Sequence, residues 1–404
     1  MARILVVAGT ASGVGKTTIT LGLLEAFRRR GLVVQAFKVG PDFIDPGFHE
    51  LVSGRPSYSL DGWMCGRDHV RATVARHAAD VDLVLVEGVM GCFDGADPTS
   101  DDGSTAQVAK WLHAPVVLVI DASAQARSSA AVVRGFESFD PDLGVAAIIA
   151  NRLGGEAHAR LIREAMRGSC RAELVGGIPR DPALELPERH LGLVTAIEGV
   201  LTGERRERLA TTIERSVDLD RLLAIASPLP SGGVAAPIEG ALRAREIHAR
   251  ALAENVGVVK ALADRAGAGT PIYAECGGLM YLAAGLEDAD GMLHSMVGVL
   301  PAAVSMRSPR LTLGYSEVRF VADTPLGAAG TTARGHEFHC STLGEVSPQV
   351  KRAYRVRGRG RDEHAEGFLI GRTLLSYVHL HFGSNPALAV NFVAACAAAS
   401  ERTC

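Results

Sequence analysis

The chain has 404 residues, 47% hydrophobic and 22% charged, and its 42 Lys plus Arg against 45 Asp plus Glu leave a net charge of only −3. That balance argues against nucleic acid or a membrane surface as partner, and the length predicts two or three domains, each with its own core. The seven cysteines, at 65, 92, 170, 276, 340, 396 and 404, lack CxxC or zinc-ligand spacing, which excludes a disulfide-stapled miniprotein and suggests a reducing compartment.

Met1-Ala2-Arg3 runs straight into Ile4–Ala8, an apolar stretch too short for a signal peptide or a membrane span, so a cytoplasmic protein is expected. Up to about residue 180, short β-branched runs alternate with amphipathic stretches, the pattern of βα units feeding a parallel sheet. The predicted strands are Ile4–Val7, Val33–Lys38, Leu83–Glu87, Val116–Ile120, Val145–Ala150 and Leu174–Ile178. Several end in a polar residue or glycine, where open α/β sheets place their ligands.

Between the first strand and the following helix lies Gly9-Thr10-Ala11-Ser12-Gly13-Val14-Gly15-Lys16-Thr17-Thr18. This is the context of a phosphate-binding loop. Gly13 and Gly15 let backbone amides converge on phosphate, Lys16 neutralises it, and the Thr17 hydroxyl suits Mg²⁺. The strict pattern has Gly at position 10, where this chain has Thr; the bland alternative is a glycine-rich β-to-α turn. Two acidic clusters follow at strand ends, Lys38-Val39-Gly40-Pro41-Asp42-Phe43-Ile44-Asp45 and Glu87-Gly88-Val89-Met90-Gly91-Cys92-Phe93-Asp94. Magnesium takes only one or two carboxylates beside substrate phosphates, so Asp42 and Glu87 would suffice with Thr17. Each acid could instead be a surface cap, and Lys38 could serve in a buried ion pair.

These segments, with Gly103-Ser104-Thr105-Ala106 and Pro187-Glu188-Arg189-His190-Leu191-Gly192-Leu193, resemble the cobyrinic acid a,c-diamide synthase family. The resemblance implies a nucleotide-binding domain related to dethiobiotin synthetase, which uses ATP and Mg²⁺ to activate the a and c side-chain carboxylates of a corrin as acyl phosphates. Ammonia then displaces phosphate. It also implies that Asp42, Glu87 and Asp94 are functional acids and that Asn151-Arg152 lies where the relatives recognise adenine; independently of the resemblance, Thr18 is expected in the nucleotide site, with Lys38 as a second cation beside Lys16 to neutralise phosphate charge. Phe43 stands where the family often has Tyr. The expected partners are cobyrinate or hydrogenobyrinate, and glutamine or ammonia, with a homodimer as candidate assembly.

The composition shifts at Asp218–Gly240, rich in Pro, Gly and Ala, and this stretch is predicted to link a synthetase domain over 1–217 to a second domain over 241–404. A helix is expected from about Arg243 to Ala266. Then Pro271-Ile272-Tyr273-Ala274-Glu275-Cys276-Gly277-Gly278 reads as a strand, a sharp turn and a helix start, an elbow for a cysteine nucleophile whose pKa the helix start should lower. Ser376-Tyr377-Val378-His379-Leu380-His381 offers a base; 379 and 381 would share one face of a continuing strand, so spacing leaves both open. The elbow resembles that of class I glutamine amidotransferases, and the family's Tyr-x-His pattern matches His379. Leu313-Gly314-Tyr315 and Arg334-Gly335-His336-Glu337-Phe338-His339 also match family segments.

An intact domain of that kind should carry several βα units and a glycine-rich oxyanion loop before the elbow. Here the linker passes directly into Ala241–Arg250. The expected fold is therefore a P-loop parallel-sheet domain followed by an incomplete glutamine amidotransferase-like α/β domain. Three other readings compete: a partition-type ATP switch, against which Ala11 stands where that class has a second lysine; a degenerate enzyme with a lost glutaminase half; and the sibling enzyme that amidates the remaining corrin side chains.

Overall fold

The computed structural model describes residues 2–42, 44–184, 201–229, 249–288, 290–307, 312–358 and 362–400. The chain divides into two compact units, Met1–Arg245 and Glu246–Cys404. In the first, the elements run β1 (Arg3–Gly9), α1 (Lys16–Arg29), β2 (Val34–Val39), α2 (Ile44–Ser53), β3 (Tyr58–Leu60), α3 (Gly62–His77), β4 (Leu83–Glu87) and α4 (Thr105–Leu112). They continue through β5 (Val116–Asp121), α5 (Ser128–Phe139), β6 (Val145–Leu153), α6 (Glu156–Met166), β7 (Glu173–Pro179), α7 (Gly203–Ser216), α8 (Leu219–Ile225) and β8 (Ser227–Pro228).

The sheet order is β3-β2-β4-β1-β5-β6-β7, parallel throughout, with β8 antiparallel against the start of β1. Leu83–Val86 and Val116–Ile120 are apolar at every position and at most 1% exposed, because both faces of such a sheet are covered. This is why their runs were legible without alternation. β3, only Tyr58-Ser59-Leu60, is too short to stand out in the sequence. Gly22 of α1 lets α7 approach: a Cβ there would lie 2.5 Å from Ile213.

The linker expected from Asp218 begins later. Asp218 caps α8 by accepting the Arg221 N–H at 2.9 Å, Leu219 and Leu222 are buried, and Ser227 pairs with Ile4. The Leu-Leu-Ala-Ile run thus has a packed helical face, and this unit continues beyond 217. Residues 230–240 lie outside the described residues.

The second unit contains α9 (Ala249–Glu254), α10 (Val256–Gly267), β9 (Ile272–Glu275), α11 (Gly277–Leu282), β10 (Ala283–Glu287), β11 (Leu293–Ser295), β12 (Leu300–Ser305) and β13 (Thr312–Phe320). Then come β14 (Thr332–His339), β15 (Thr342–Leu343), β16 (Lys351–Gly358), β17 (His364–Ile370), β18 (Thr373–Ser376), β19 (Val378–Leu380) and α12 (Ala387–Ser400). The single helix expected from Arg243 to Ala266 is broken at Asn255, whose side chain caps α10 at Val258 N, 3.3 Å away; residues 243–248 lie outside the described residues.

One sheet has the order β11-β10-β12-β15 and the other β19-β14-β13-β16-β17-β18-β9. β9 ends the larger sheet, parallel to β18, and among the described residues no strand pairs with its other edge. α10 buries no residue and α12 only Leu388, while Val256, Val390 and Val393 are 67–69% exposed. No described helix is long and apolar enough to cross a membrane.

Candidate active site

The register of the first sheet assembles a charge cluster at the carboxyl ends of its strands. Glu87 on β4 lies opposite Val7 on β1 and opposite Lys38 on β2, so one carboxylate sits between the P-loop strand and a lysine. Glu87 is fully buried. Its Oε1 accepts from Thr17 Oγ1 at 2.6 Å and from Lys38 Nζ at 3.0 Å; its Oε2 is 2.7 Å from His49 Nε2. Lys38 Nζ also donates to Gly88 O at 2.8 Å and pairs with Asp45 Oδ2 at 2.9 Å, and His49 Nδ1 lies 3.0 Å from Ser57 Oγ.

Burial opposes charge on both central groups, and their partners outweigh it. Lys38, His49 and Thr17 hold the Glu87 carboxyl well below the usual range, while Glu87 and Asp45 hold Lys38 well above its own. Both are therefore ionised, as a buried pair must be to repay its desolvation.

Lys16 differs. Its ammonium donates to the carbonyls of Ala11, at 3.1 Å, and Met90, and burial together with the charge of Lys38 lowers its pKa to about 8. With Lys38 balanced by Glu87 and Asp45, Lys16 is the cation that the loop itself offers to an anion. Gly13 and Gly15 have φ of 76° and 97°, and a Cβ on Gly15 would lie 2.3 Å from Asn151 Nδ2, so the backbone here is glycine's alone. Asn151 donates to Val14 O and Arg152 Nη2 to Gly13 O, each at 2.8 Å, and Arg152 also bonds Asp121. The ends of β5 and β6 thereby brace the loop. Thr18 lies partly buried on the first turn of α1.

Asp42 and Asp94 stand at the rim. Asp42 Oδ1 accepts from Ile44 N at 2.8 Å, capping α2, and the acid lies near enough to Lys38 to raise its pKa. Asp94, exposed, accepts from Gly91 N at 2.8 Å within its own turn and acts electrostatically on Lys16. The bonds both acids make are those of local caps. Sequence reasoning placed Asp45 in an acidic cluster without a role and missed His49; their i,i+4 spacing on one face of α2 was the available signal. Phe43 and the Pro187–Leu193 motif lie outside the described residues.

Does this donor set suit a magnesium ion? A hydroxyl and an ionised carboxylate, both hard oxygen donors, converge within 2.6 Å beside a phosphate loop, as an ion sharing its shell with phosphate oxygens requires. The residues fit.

In the second unit, β9 delivers Cys276 into a sharp turn with φ 47° and ψ −104°, and α11 follows. Cys276 N donates to Ser376 O at 2.8 Å, and Sγ lies 3.8 Å from Phe338 O. The expected depression of the thiol pKa is not found. Burial pushes it up to about 11, Gly277 N–H offsets this only in part, and Glu275 and Cys340 add to it. His379 lies in β19, its ring stacked on His336 at 4.9 Å, and burial with the charge of His339 lowers its pKa to about 4. His381 is not on a common strand face with it, because β19 stops at Leu380; its Nδ1 accepts from Gly383 N at 3.0 Å and caps the next turn. Geometry thus separates the two histidines that spacing could not. Glu275 joins the elbow to β19: Oε1 accepts from Leu380 N at 2.7 Å and from Tyr273 OH, and Oε2 lies 3.9 Å from His379 Nδ1.

Comparison with known proteins agrees with both halves of this picture. Residues 5–194 match the CobQ/CobB/MinD/ParA nucleotide binding domain and residues 244–387 the CobB/CobQ-like glutamine amidotransferase domain. The cobyrinate a,c-diamide synthase of Syntrophotalea carbinolica is 45% identical over 450 aligned positions, covering 97% of this chain and 98% of that protein. That of Priestia megaterium is 35% identical over 99% and 98%, and the hydrogenobyrinate a,c-diamide synthase of Agrobacterium fabrum 37% identical over 89% and 94%. An alignment of 450 positions exceeds the 404 residues present, so several dozen positions of the first relative have no counterpart here. Two domains matched in the same order, and identity spread over nearly the whole of each chain, lead to one conclusion: the protein belongs to the cobyrinate a,c-diamide synthase family.

Proposed function

We propose that this chain uses ATP to amidate the a and c side-chain carboxylates of cobyrinate or hydrogenobyrinate, a step of cobalamin biosynthesis, and that it takes free ammonium more readily than glutamine. The observation that carries the first part is the buried Thr17–Glu87–Lys38–Asp45 cluster at the mouth of the P-loop. A carboxylate is a poor electrophile until it is phosphorylated, and phosphoryl transfer depends mainly on positioning and charge neutralisation. Gly13, Gly15 and the start of α1 supply amides to the phosphates, Lys16 supplies positive charge, and Asn151 holds the loop near the expected adenine position. A magnesium ion held by Thr17 and Glu87, with Asp42 nearby, would neutralise charge on the transferring phosphate. Asp42 and Asp94 line the rim where a substrate carboxylate would be received. Ammonia then attacks the acyl phosphate carbon, and inorganic phosphate leaves.

Support for the second part lies in β9. Among the described residues no strand pairs with the outer edge of this elbow strand, where neighbouring oxyanion donors would be expected, and a thiol raised to about 11 with an imidazole lowered to about 4 is poorly poised for proton transfer. The family relationship and the Cys276–His379 pair favour a glutaminase lineage over a partner-binding ATP switch, which needs no such residues. Mass spectrometry of cobyrinate and hydrogenobyrinate after incubation with ATP, Mg²⁺ and ammonium tests the reading. Conversion of two carboxylates to amides is expected; ATP hydrolysis without any change of corrin mass would overturn it.

A further inference from the structure

The glutaminase-type reading of the second unit names a nucleophile and a base and leaves the orientation of the base unexplained. His379 sits on a three-residue strand, β19, held on one side by β14. On the other side its ring faces the residue before the elbow cysteine. Glu275 immediately precedes Cys276, and its carboxylate is anchored twice through Oε1, to Leu380 N on β19 at 2.7 Å and to Tyr273 OH. That anchoring leaves Oε2 directed at His379 Nδ1, 3.9 Å away. Resting on that reading, we infer that Glu275 is a positioning residue for the thiol site, orienting His379 and fixing the tautomer that leaves Nε2 unprotonated to receive the Cys276 proton.

In a nucleophile–base pair the base is productive when a third group holds it in the correct tautomer. At 3.9 Å the pair is an electrostatic contact that must shorten by about an ångström to become a hydrogen bond, a tightening that accompanies substrate binding in many such sites. The groups facing it are Tyr273 on β9, Tyr354 on β16, Glu366 on β17, His336 and His339 on β14, and Cys276 itself. Burial raises Glu275 to about 7, so its charge, and with it the basicity of His379, should rise through neutral pH.

The test is Glu275→Gln, which keeps an acceptor for Leu380 and removes the charge, with Glu275→Asp as the conservative partner. Glutamine hydrolysis should fall in kcat by about a hundredfold with little change in KM, Glu275→Asp should recover part of it, and ammonium-dependent turnover should stay at the parent level. Independently of turnover, iodoacetamide alkylation of Cys276 between pH 5 and 9 should be slower at neutral pH in Glu275→Gln than in the parent, because His379 is no longer oriented to take the thiol proton; faster alkylation, the result expected if Glu275 acted on the thiol only by raising its pKa, would overturn the inference. Matching circular dichroism melts of parent and variant establish that both are folded. Identical alkylation profiles would overturn the inference. A parent that hydrolyses no glutamine would refute the glutaminase reading alone, because the alkylation profiles still decide what Glu275 does.

Discussion

Glu87 makes more contacts than its place in the sequence suggested. The residue was legible as an acid at a strand end; its three simultaneous partners, Thr17, Lys38 and His49, were not, because they depend on the register of β2 against β4 and on the fold of α2. Lys38 is likewise a buried ion-pair partner of Glu87 and Asp45, one of the two alternatives that its sequence context allowed. Lys16→Ala should abolish ATP-dependent amidation with any nitrogen donor, since it supplies the loop's own cation; undiminished turnover would remove the P-loop from the mechanism. Glu87→Ala should weaken magnesium-dependent nucleotide binding and remove the partner shared by Thr17, Lys38 and His49. Asp42→Ala should instead cost about 1 kcal/mol as a lost cap of α2 and lower amidation without removing nucleotide binding. Calorimetric titration of Mg²⁺–ATP into both variants separates these outcomes, and equal losses would mean that Asp42 is a ligand as well as a cap.

Elements were legible where one rule dominated. The apolar runs of β1, β4 and β5 mark buried parallel strands without ambiguity, whereas α8 hides in a Pro- and Ala-rich stretch because only Leu219 and Leu222 pack. In the second unit, β17 and β18 place Glu366 in the core, where its carboxylate accepts from Ser376 Oγ at 2.6 Å and Tyr377 N at 3.0 Å. Burial raises its pKa from 4.5 to about 7 despite those bonds. A carboxyl raised in the folded state favours folding most below its unfolded pKa, and this contribution disappears as pH climbs through about 7. The second unit should therefore lose stability, by on the order of 3 kcal/mol from this group, between about pH 4.5 and 7. Hydrogen exchange of the β17–β18 amides across that range should show the slope in the parent and a flatter one in Glu366→Gln. Equal slopes would place the pH dependence elsewhere.

At the scale of the whole molecule, two observations of different kind point to the same deficit. Alignment with the Syntrophotalea carbinolica relative spans more positions than this chain possesses, and among the described residues the strand that leads into Cys276 has no partner on its outer edge. The exposed apolar faces of α10 and α12 add surface that a complete domain would be expected to cover. The sequence made the gap visible through what was missing before the elbow; its consequence for the chemistry needed the edge position of β9 and the raised thiol pKa of Cys276. An oxyanion donor is worth a factor of about 10² to 10³ in rate, enough to reverse the preference between nitrogen sources. The direct measurement is the rate of corrin amidation at saturating ATP with ammonium and with glutamine, in the parent and in Cys276→Ala. The account predicts faster amidation with ammonium, unaffected by Cys276→Ala. A clear preference for glutamine that vanishes in Cys276→Ala would contradict it.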